Sequence, residues 1–244
     1  MSLEYSILTL LFGIFIFCLG IHYFKKKRLI EDIPTSKIRS IAMGLVEIYG
    51  KVVPIKDRIL KSPLTQTECV YYKYLIEELK KSEESSKWVI IKVGENGTYF
   101  YLQDETGSVL VDPKWAEIDL VATFTFESGP GKDPPESVKS FLEANNIRSK
   151  DFFGMNKTMR FREFCIRPGD KLYIIGTAGD NPFVKEGWAQ SGVEDVMIQK
   201  GENIYYISNR SEKEVVKKLM WKSLGIMFIG GLLIIVAVAS FIIL

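Results

Sequence analysis

Four side chains in this sequence have the reactivity for nucleophilic or metal chemistry: Cys18, Cys69, Cys165 and His22. A thiol nucleophile needs a base within reach, and a Ser-His-Asp set needs the same imidazole. The single histidine lies at the edge of an apolar run near the N-terminus. Cys69 and Cys165 instead stand in strand-like surroundings, Cys69-Val70-Tyr71 and Phe164-Cys165-Ile166. Both are expected as buried structural thiols, a common fate of free cysteine. A Cys69–Cys165 disulfide is expected only in an oxidising compartment.

The carboxylates offer acid–base chemistry in principle. Asp104, Glu105 and Asp112 flank one tight turn, and Asp119 follows. An Asp ahead of Thr-Gly serves its own turn by accepting backbone hydrogen bonds, and Asp170 after Pro168-Gly169 reads the same way. Gly129-Pro130-Gly131-Lys132-Asp133 is glycine-rich but lacks the G-x-x-x-x-G-K-[ST] spacing that cradles phosphate, so a flexible loop is expected. Tyr71, Tyr72, Tyr74, Tyr99 and Tyr101 have the spacing of residues that stack bases on barrel strands. The net charge is only +2, however, and a nucleic-acid footprint is more basic. No catalytic residue, cofactor, metal site or nucleic-acid partner is expected.

The elements that carry these residues divide sharply by composition. Residues 6–24 and 224–244 are apolar blocks without Lys, Arg, Asp or Glu, each near the 20 residues that cross a bilayer as a helix. A signal peptide places positive charge before its apolar run. Here Lys25, Lys26, Lys27 and Arg28 follow the first block, so an uncleaved anchor is expected. Lys213, Lys217, Lys218 and Lys222 precede the second block. Positive flanks favour the cytoplasmic side, which predicts a two-pass membrane protein with a cytoplasmic middle domain and both termini opposite. Lys25–Arg28, Lys217, Lys218 and Lys222 are expected to hold anionic lipid headgroups. His22 is expected to snorkel to the interface, beside Tyr23 and Trp221. Neither block carries G-x-x-x-G.

Residues 25–41 form a basic juxtamembrane linker and 42–210 a β-rich domain, with 211–222 a juxtamembrane helix opened by the Ser211/Glu214 capping box. Strands are expected at Gly44–Val53, Cys69–Leu79, Trp88–Val93, Thr98–Gln103, Ser108–Asp112, Ile118–Phe126, Lys171–Gly176 and Asn203–Ser208. Glu95-Asn96-Gly97 predicts a hairpin. Helical segments are expected at Pro135–Asn145 and, as a short amphipathic piece, at Lys157–Phe164. Short strands broken by Gly fit a membrane-anchored α+β protein whose soluble domain holds an OB-like barrel; F-x-L-x-D-x-T-G-x-V stands here as Phe100 to Val109, and G-D-x-V-x-V-x-G as Gly169 to Gly176 with Leu172 and Ile174 at the Val positions.

A more specific resemblance lies in the order of SPLTQTECVYYKYLIEE (Ser62–Glu78), WVIIKVG (Trp88–Gly94), FYLQDETGSVLVDP (Phe100–Pro113) and FREFCIRPGDKLYIIGTA (Phe161–Ala178) between two membrane helices. This resembles the GIDE, or "beside a membrane", domain family of mitochondrial E3 ubiquitin ligases and shorter prokaryotic relatives. The resemblance implies a membrane-surface domain and, in the eukaryotic ligases, a C-terminal RING. A RING holds two zinc ions, each on four Cys or His ligands. Three Cys and one His cannot supply them, so the expectation is a protein-interaction or scaffold module without catalysis of its own. Its partner is expected to be a membrane protein or a second copy. The alternative is an E3-ligase-like protein that recruits substrates for a separate ligase or protease.

Overall fold

The computed structural model describes residues 3–81, 85–150, 154–183, 195–202 and 204–243. They form two compact units, one from the chain ends (Met1–Pro34 with Arg210–Leu244) and one from Thr35–Asn209.

The first unit is a pair of long helices, α1 (Leu3–Asp32) and α3 (Glu212–Ile243). Both are long and apolar enough to cross a membrane, and most of each apolar window is exposed. Helix α1 continues through Lys25–Arg28 to Asp32, so the start of the expected 25–41 linker is helical. Helix α3 runs through the expected 211–222 helix without a break; the Ser211 N–H donates to Glu214 Oε2 at 2.9 Å, the glutamate half of a capping box, while Ser211 Oγ also donates to that carboxylate and the Glu214 N–H bonds Ser211 O instead. The helices pack antiparallel on small residues. Ser6, Gly13 and Gly20 are buried on α1, and Ser223, Gly230 and Ala237 on α3. Each set repeats every seven residues, the spacing that keeps one seam facing a partner helix. A Cβ on Gly230 would lie 2.6 Å from Phe17 N, and one on Gly20 would lie 2.9 Å from Met227 N. Ser223 Oγ donates to Gly20 O (3.0 Å), and Ser240 Oγ to Ser6 Oγ (2.8 Å). Lys222 Nζ sits 4.0 Å above the Tyr23 ring.

The second unit is α+β. Its main sheet contains β1 (Gly44–Pro54), β6 (Phe100–Gln103), β7 (Ser108–Val111), β11 (Lys171–Asp180) and β12 (Val196–Gln199). The order β1-β6-β7-β12-β11 closes back onto β1 as a five-stranded barrel. Every neighbouring pair is antiparallel except β7–β12. Strand β1 serves two partners: Gly44–Lys51 pairs with β11, and Lys51–Pro54 pairs with β6. The change of partner needs Gly50, where a Cβ would lie 2.6 Å from Gln103 O. Ile48, Val52, Phe100, Leu102, Val109 and Ile174 fill the interior. Strands β8 (Glu117–Asp119) and β13 (Tyr206–Ser208) extend the sheet beyond β11. Position 203 of the expected Asn203–Ser208 strand lies outside the described residues.

The β6–β7 turn is built on Asp104. Its carboxylate accepts the N–H groups of Ile38 (3.0 Å), Thr106 (2.7 Å) and Gly107 (3.0 Å), and the Thr106 hydroxyl (2.6 Å). Partial burial would raise its pKa, but these four donors outweigh it and hold the carboxyl below the usual carboxylate range. A depressed folded-state pKa stabilises the fold above the unfolded value, near pH 4, and that contribution is lost as pH falls through the folded value. Asp104→Ala is therefore expected to cost about 1–3 kcal/mol at neutral pH. Denaturation midpoints of parent and variant should converge as the pH is lowered below about 4; a gap independent of pH would assign the loss to packing instead.

A second sheet, in the order β5-β4-β10-β9, comprises β5 (Ser86–Gly97), β4 (Tyr71–Lys81), β10 (Met159–Ile166) and β9 (Phe124–Ser128). Helix α2 (Glu136–Ala144) lies within the expected Pro135–Asn145. Its Val138 and Leu142 pack with Leu64, Tyr74, Ile76, Met159 and Phe161 into a separate core, each such side chain contributing about 1.5–3 kcal/mol. A short ribbon of β2 (Leu60–Lys61) and β3 (Glu68–Cys69) precedes β4.

Three local expectations are overturned. The expected Ile118–Phe126 strand is two strands, β8 and β9, because the chain crosses between the two sheets after Asp119. Lys157–Phe164 holds no amphipathic helix, because Met159–Ile166 is the β10 strand between β4 and β9. Its apolar Phe161, Phe164 and Cys165 mimic helical spacing only because a polar residue, Glu163, occupies the inward position between them. Glu95-Asn96-Gly97 is no hairpin either. β5 pairs with β4 to its last residue, and the chain then leaves for β6 in the barrel. Gly97 is needed for space: a Cβ there would meet Tyr71 Cδ2 at 2.9 Å and Pro113 Cγ at 3.1 Å.

Candidate functional site

The two segments Ser62–Thr67 and Met159–Ile166 converge on one buried carboxyl group. Glu163 is fully buried. Its Oε1 accepts the Leu64 N–H at 2.7 Å, and its Oε2 accepts the Ser62 hydroxyl at 3.0 Å and the Thr65 hydroxyl. Ser62 Oγ also accepts the Thr67 N–H at 3.0 Å. The P-L-T turn is thus wound around a side chain from a strand about a hundred residues further on. The thiols lie beside this cluster. Cys69 and Cys165 are both buried and free. The hydrogen bond with Cys165, with burial added, pushes the Cys69 thiol well above the usual cysteine range. A thiol that keeps its proton is a poor nucleophile. Among the described residues the buried polar side-chain atoms of this cluster all have partners inside the fold.

The other candidates are dispersed. Cys18 is exposed on α1, and His22 stands edge-on to Tyr23 with ring centroids 6.0 Å apart. Glu105 pairs with Lys37. Asp119 accepts the Tyr206 hydroxyl at 2.8 Å, and Asp170 accepts the Arg167 N–H at 2.9 Å. Gly129 and Lys132 exchange backbone hydrogen bonds across a tight turn, with Gly131 at φ +72. Among the described residues no group of three or more His, Cys, Asp or Glu is placed to hold a metal ion.

The tyrosines separate. Tyr74 packs edge-on against Phe141 with centroids 5.1 Å apart, and Tyr72 packs against the same core. Tyr101 faces out of the barrel. Tyr71 and Tyr99 instead line a cleft of about 850 Å³ with Arg58, Glu95, Asn96, Asp112, Lys114 and Trp115. Burial, and then Glu95, push the Tyr71 phenol upward, so it keeps the proton it donates to Glu95 at 3.0 Å. Trp115 is 75% exposed and has φ +67, a left-handed conformation rarely adopted by a bulky residue. Its turn is fixed from both sides. The Lys114 N–H donates to Asp112 Oδ1 at 3.0 Å, and the Tyr205 hydroxyl donates to Asp112 O. The sequence reading did not single out Arg58, Lys114 or Trp115. The one available signal was a tryptophan directly after the Asp112-Pro113 end of a strand, where an apolar ring has no core to enter.

No curated protein and no solved structure gives a significant match to the chain. The family model GIDE, described as E3 ubiquitin ligase, matches residues 71–241. The match begins at Tyr71, so the P-L-T turn precedes it and the Glu163 strand lies within it. It covers more than half of the chain and takes in the second sheet, all barrel strands but β1, and α3. On this match, the chain belongs to the GIDE family.

Proposed function

We propose that this chain is a two-pass membrane protein whose GIDE domain is a protein-interaction or scaffold module at the bilayer surface, with no catalysis of its own. The observation that carries the reading is the contrast between its polar groups. The buried carboxyl, thiols and hydroxyls are consumed by the fold, whereas an exposed tryptophan on a left-handed turn borders an open cleft. The Cys and His content of these residues is too small for a RING. The barrel order, with its parallel β7–β12 pair, supports an OB-like domain. The helix pair and its seam of small residues support membrane insertion. The basic clusters Lys25–Arg28, Lys217, Lys218 and Lys222 support a cytoplasmic domain over anionic headgroups, and both termini opposite. The family's ligase description favours one second reading, in which the module recruits substrates for a separate ligase or protease.

The test is purification of the full chain from its native membrane in mild detergent, with quantitative mass spectrometry of co-purifying proteins. A stoichiometric membrane-protein partner is expected, and a ligase or protease in that position selects the second reading. Ubiquitin chains formed by the purified chain with activating and conjugating enzymes alone would overturn the non-catalytic assignment.

A further inference from the structure

The cleft beside Trp115 has an unequal electrostatic balance. Of its two acids, Glu95 accepts from Tyr71 and is offset by Lys73 at 3.5 Å, while the negatively charged Asp112 carboxylate accepts the uncharged Lys114 backbone N–H. Its two exposed cations lie against aromatic rings. The Arg58 guanidinium lies 5.7 Å from the Tyr99 ring centroid, and Lys114 Nζ lies 5.4 Å from that of Trp115. Among the described residues neither reaches a carboxylate at ion-pair distance. Positive charge held on aromatic faces thus borders the cleft on both sides, which suits an anionic ligand with apolar parts.

The neighbouring strand supplies the rest. β5 ends its sheet, so one edge is unpaired among the described residues. Gly97, Glu95 and Val93 stand opposite Tyr71, Lys73 and Leu75 and share one sheet face with the cleft, since a Cβ on Gly97 would point at Tyr71 and Pro113, which line it. Val93 is 53% exposed there. A register irregularity opposite Ile76/Glu77 interrupts the edge, leaving Lys92–Gly97 as the regular run that leads to the cleft. An unpaired, partly apolar edge is a template for an added strand.

We infer that the Lys92–Gly97 edge and the cleft form a docking groove for an extended acidic segment of a partner protein, with backbone paired to β5, apolar side chains on Val93 and Trp115, and carboxylates on Arg58 and Lys114. This rests on the interaction-module reading and names the partner's chemistry.

The test uses the full chain in phosphatidylcholine nanodiscs and a fluorescein-labelled peptide, Glu-Thr-Glu-Thr-Val-Thr-Val-Thr, followed by anisotropy. Saturable binding that weakens with salt is expected. Arg58→Gln with Lys114→Gln should weaken it about tenfold, and Trp115→Ala by at least as much. Because all three side chains are exposed, an unchanged thermal midpoint is expected and checks folding. The peptide with Lys in place of Glu should not bind. Absence of binding, equal binding of the Lys peptide, or indifference to the three substitutions would overturn the proposal. Full competition by inorganic phosphate would reassign the cleft to a free anion. Binding of phosphatidylserine vesicles that the double variant abolishes would reassign it to headgroups. If the variants retain a co-purifying partner while failing these tests, the module reading stands and the groove is not its site.

Discussion

Glu163→Gln is expected to destabilise the β domain by about 2–3 kcal/mol, and Glu163→Ala by about 4 kcal/mol. Three donors aim at this buried carboxyl: one backbone N–H and two hydroxyls. Glutamine keeps one acceptor oxygen but presents an NH2 group to at least one donor. Each buried donor left unsatisfied costs about 1–3 kcal/mol. Alanine removes every acceptor and adds a cavity, which brings the loss to the upper end of single-residue effects. Urea denaturation of the full chain in detergent measures the loss. Hydrogen exchange at the Leu64 amide localises it, because among the described residues this N–H bonds Glu163 alone. A loss below about 1 kcal/mol, with Leu64 still protected, would mean that the P-L-T turn is held by its own hydroxyl network instead.

Gly230→Leu is expected to separate the helix pair. At Gly230 the neighbours are Phe17 N, Phe17 Cα and Gly13 O. All are backbone atoms, so no rotamer change relieves the clash. Overpacking costs about 1–3 kcal/mol where side chains can move, and here the helices themselves must part. Cysteines at Ser6 and Ser240, whose hydroxyls are 2.8 Å apart, with Cys18→Ser as background, should cross-link efficiently in the parent and only weakly with Gly230→Leu. Gly231→Leu is the control, since a Cβ there meets nothing within 4 Å. Equal cross-linking in all three would show that the seam does not depend on Gly230.

The parts of the fold that the sequence announced are those in which side-chain pattern and environment agree. The two apolar blocks, the Asp104-x-Thr106-Gly107 turn and the Pro135–Asn145 helix were legible because each is dictated within a few residues. The β10 strand was not, because the inward Glu163 breaks the alternation by which a strand is recognised; its acceptance inside depends on Ser62, Leu64 and Thr65, which are distant in sequence. Asn96-Gly97 misled for a related reason. Glycine there answers the approach of Pro113, a tertiary contact, rather than a turn's dihedral angles. The small-residue seam is present in the sequence at a spacing of seven, Ser6, Gly13, Gly20 and Ser223, Gly230, Ala237, rather than at the four of G-x-x-x-G. Of the cleft, the tyrosines, Asp112 and Glu95-Asn96-Gly97 stood out in the sequence, the last as a hairpin and none as one site. Arg58 and Trp115 line the same cleft through tertiary folding, which no local pattern encodes.

The seam of small residues also closes the chain on itself. α1 ends at Asp32 and α3 begins at Glu212, so their pairing ties together the two ends of the stretch Thr35–Asn209 that forms the β domain. A covalent link across a loop of about 100 residues removes roughly 4–5 kcal/mol of denatured-state entropy at 25 °C, and the dependence on loop length is weak. A non-covalent clasp approaches that figure only while it holds. While the pair holds, the glycines of the two apolar helices therefore limit how many conformations the unfolded β domain can reach, and connectivity alone adds to its stability.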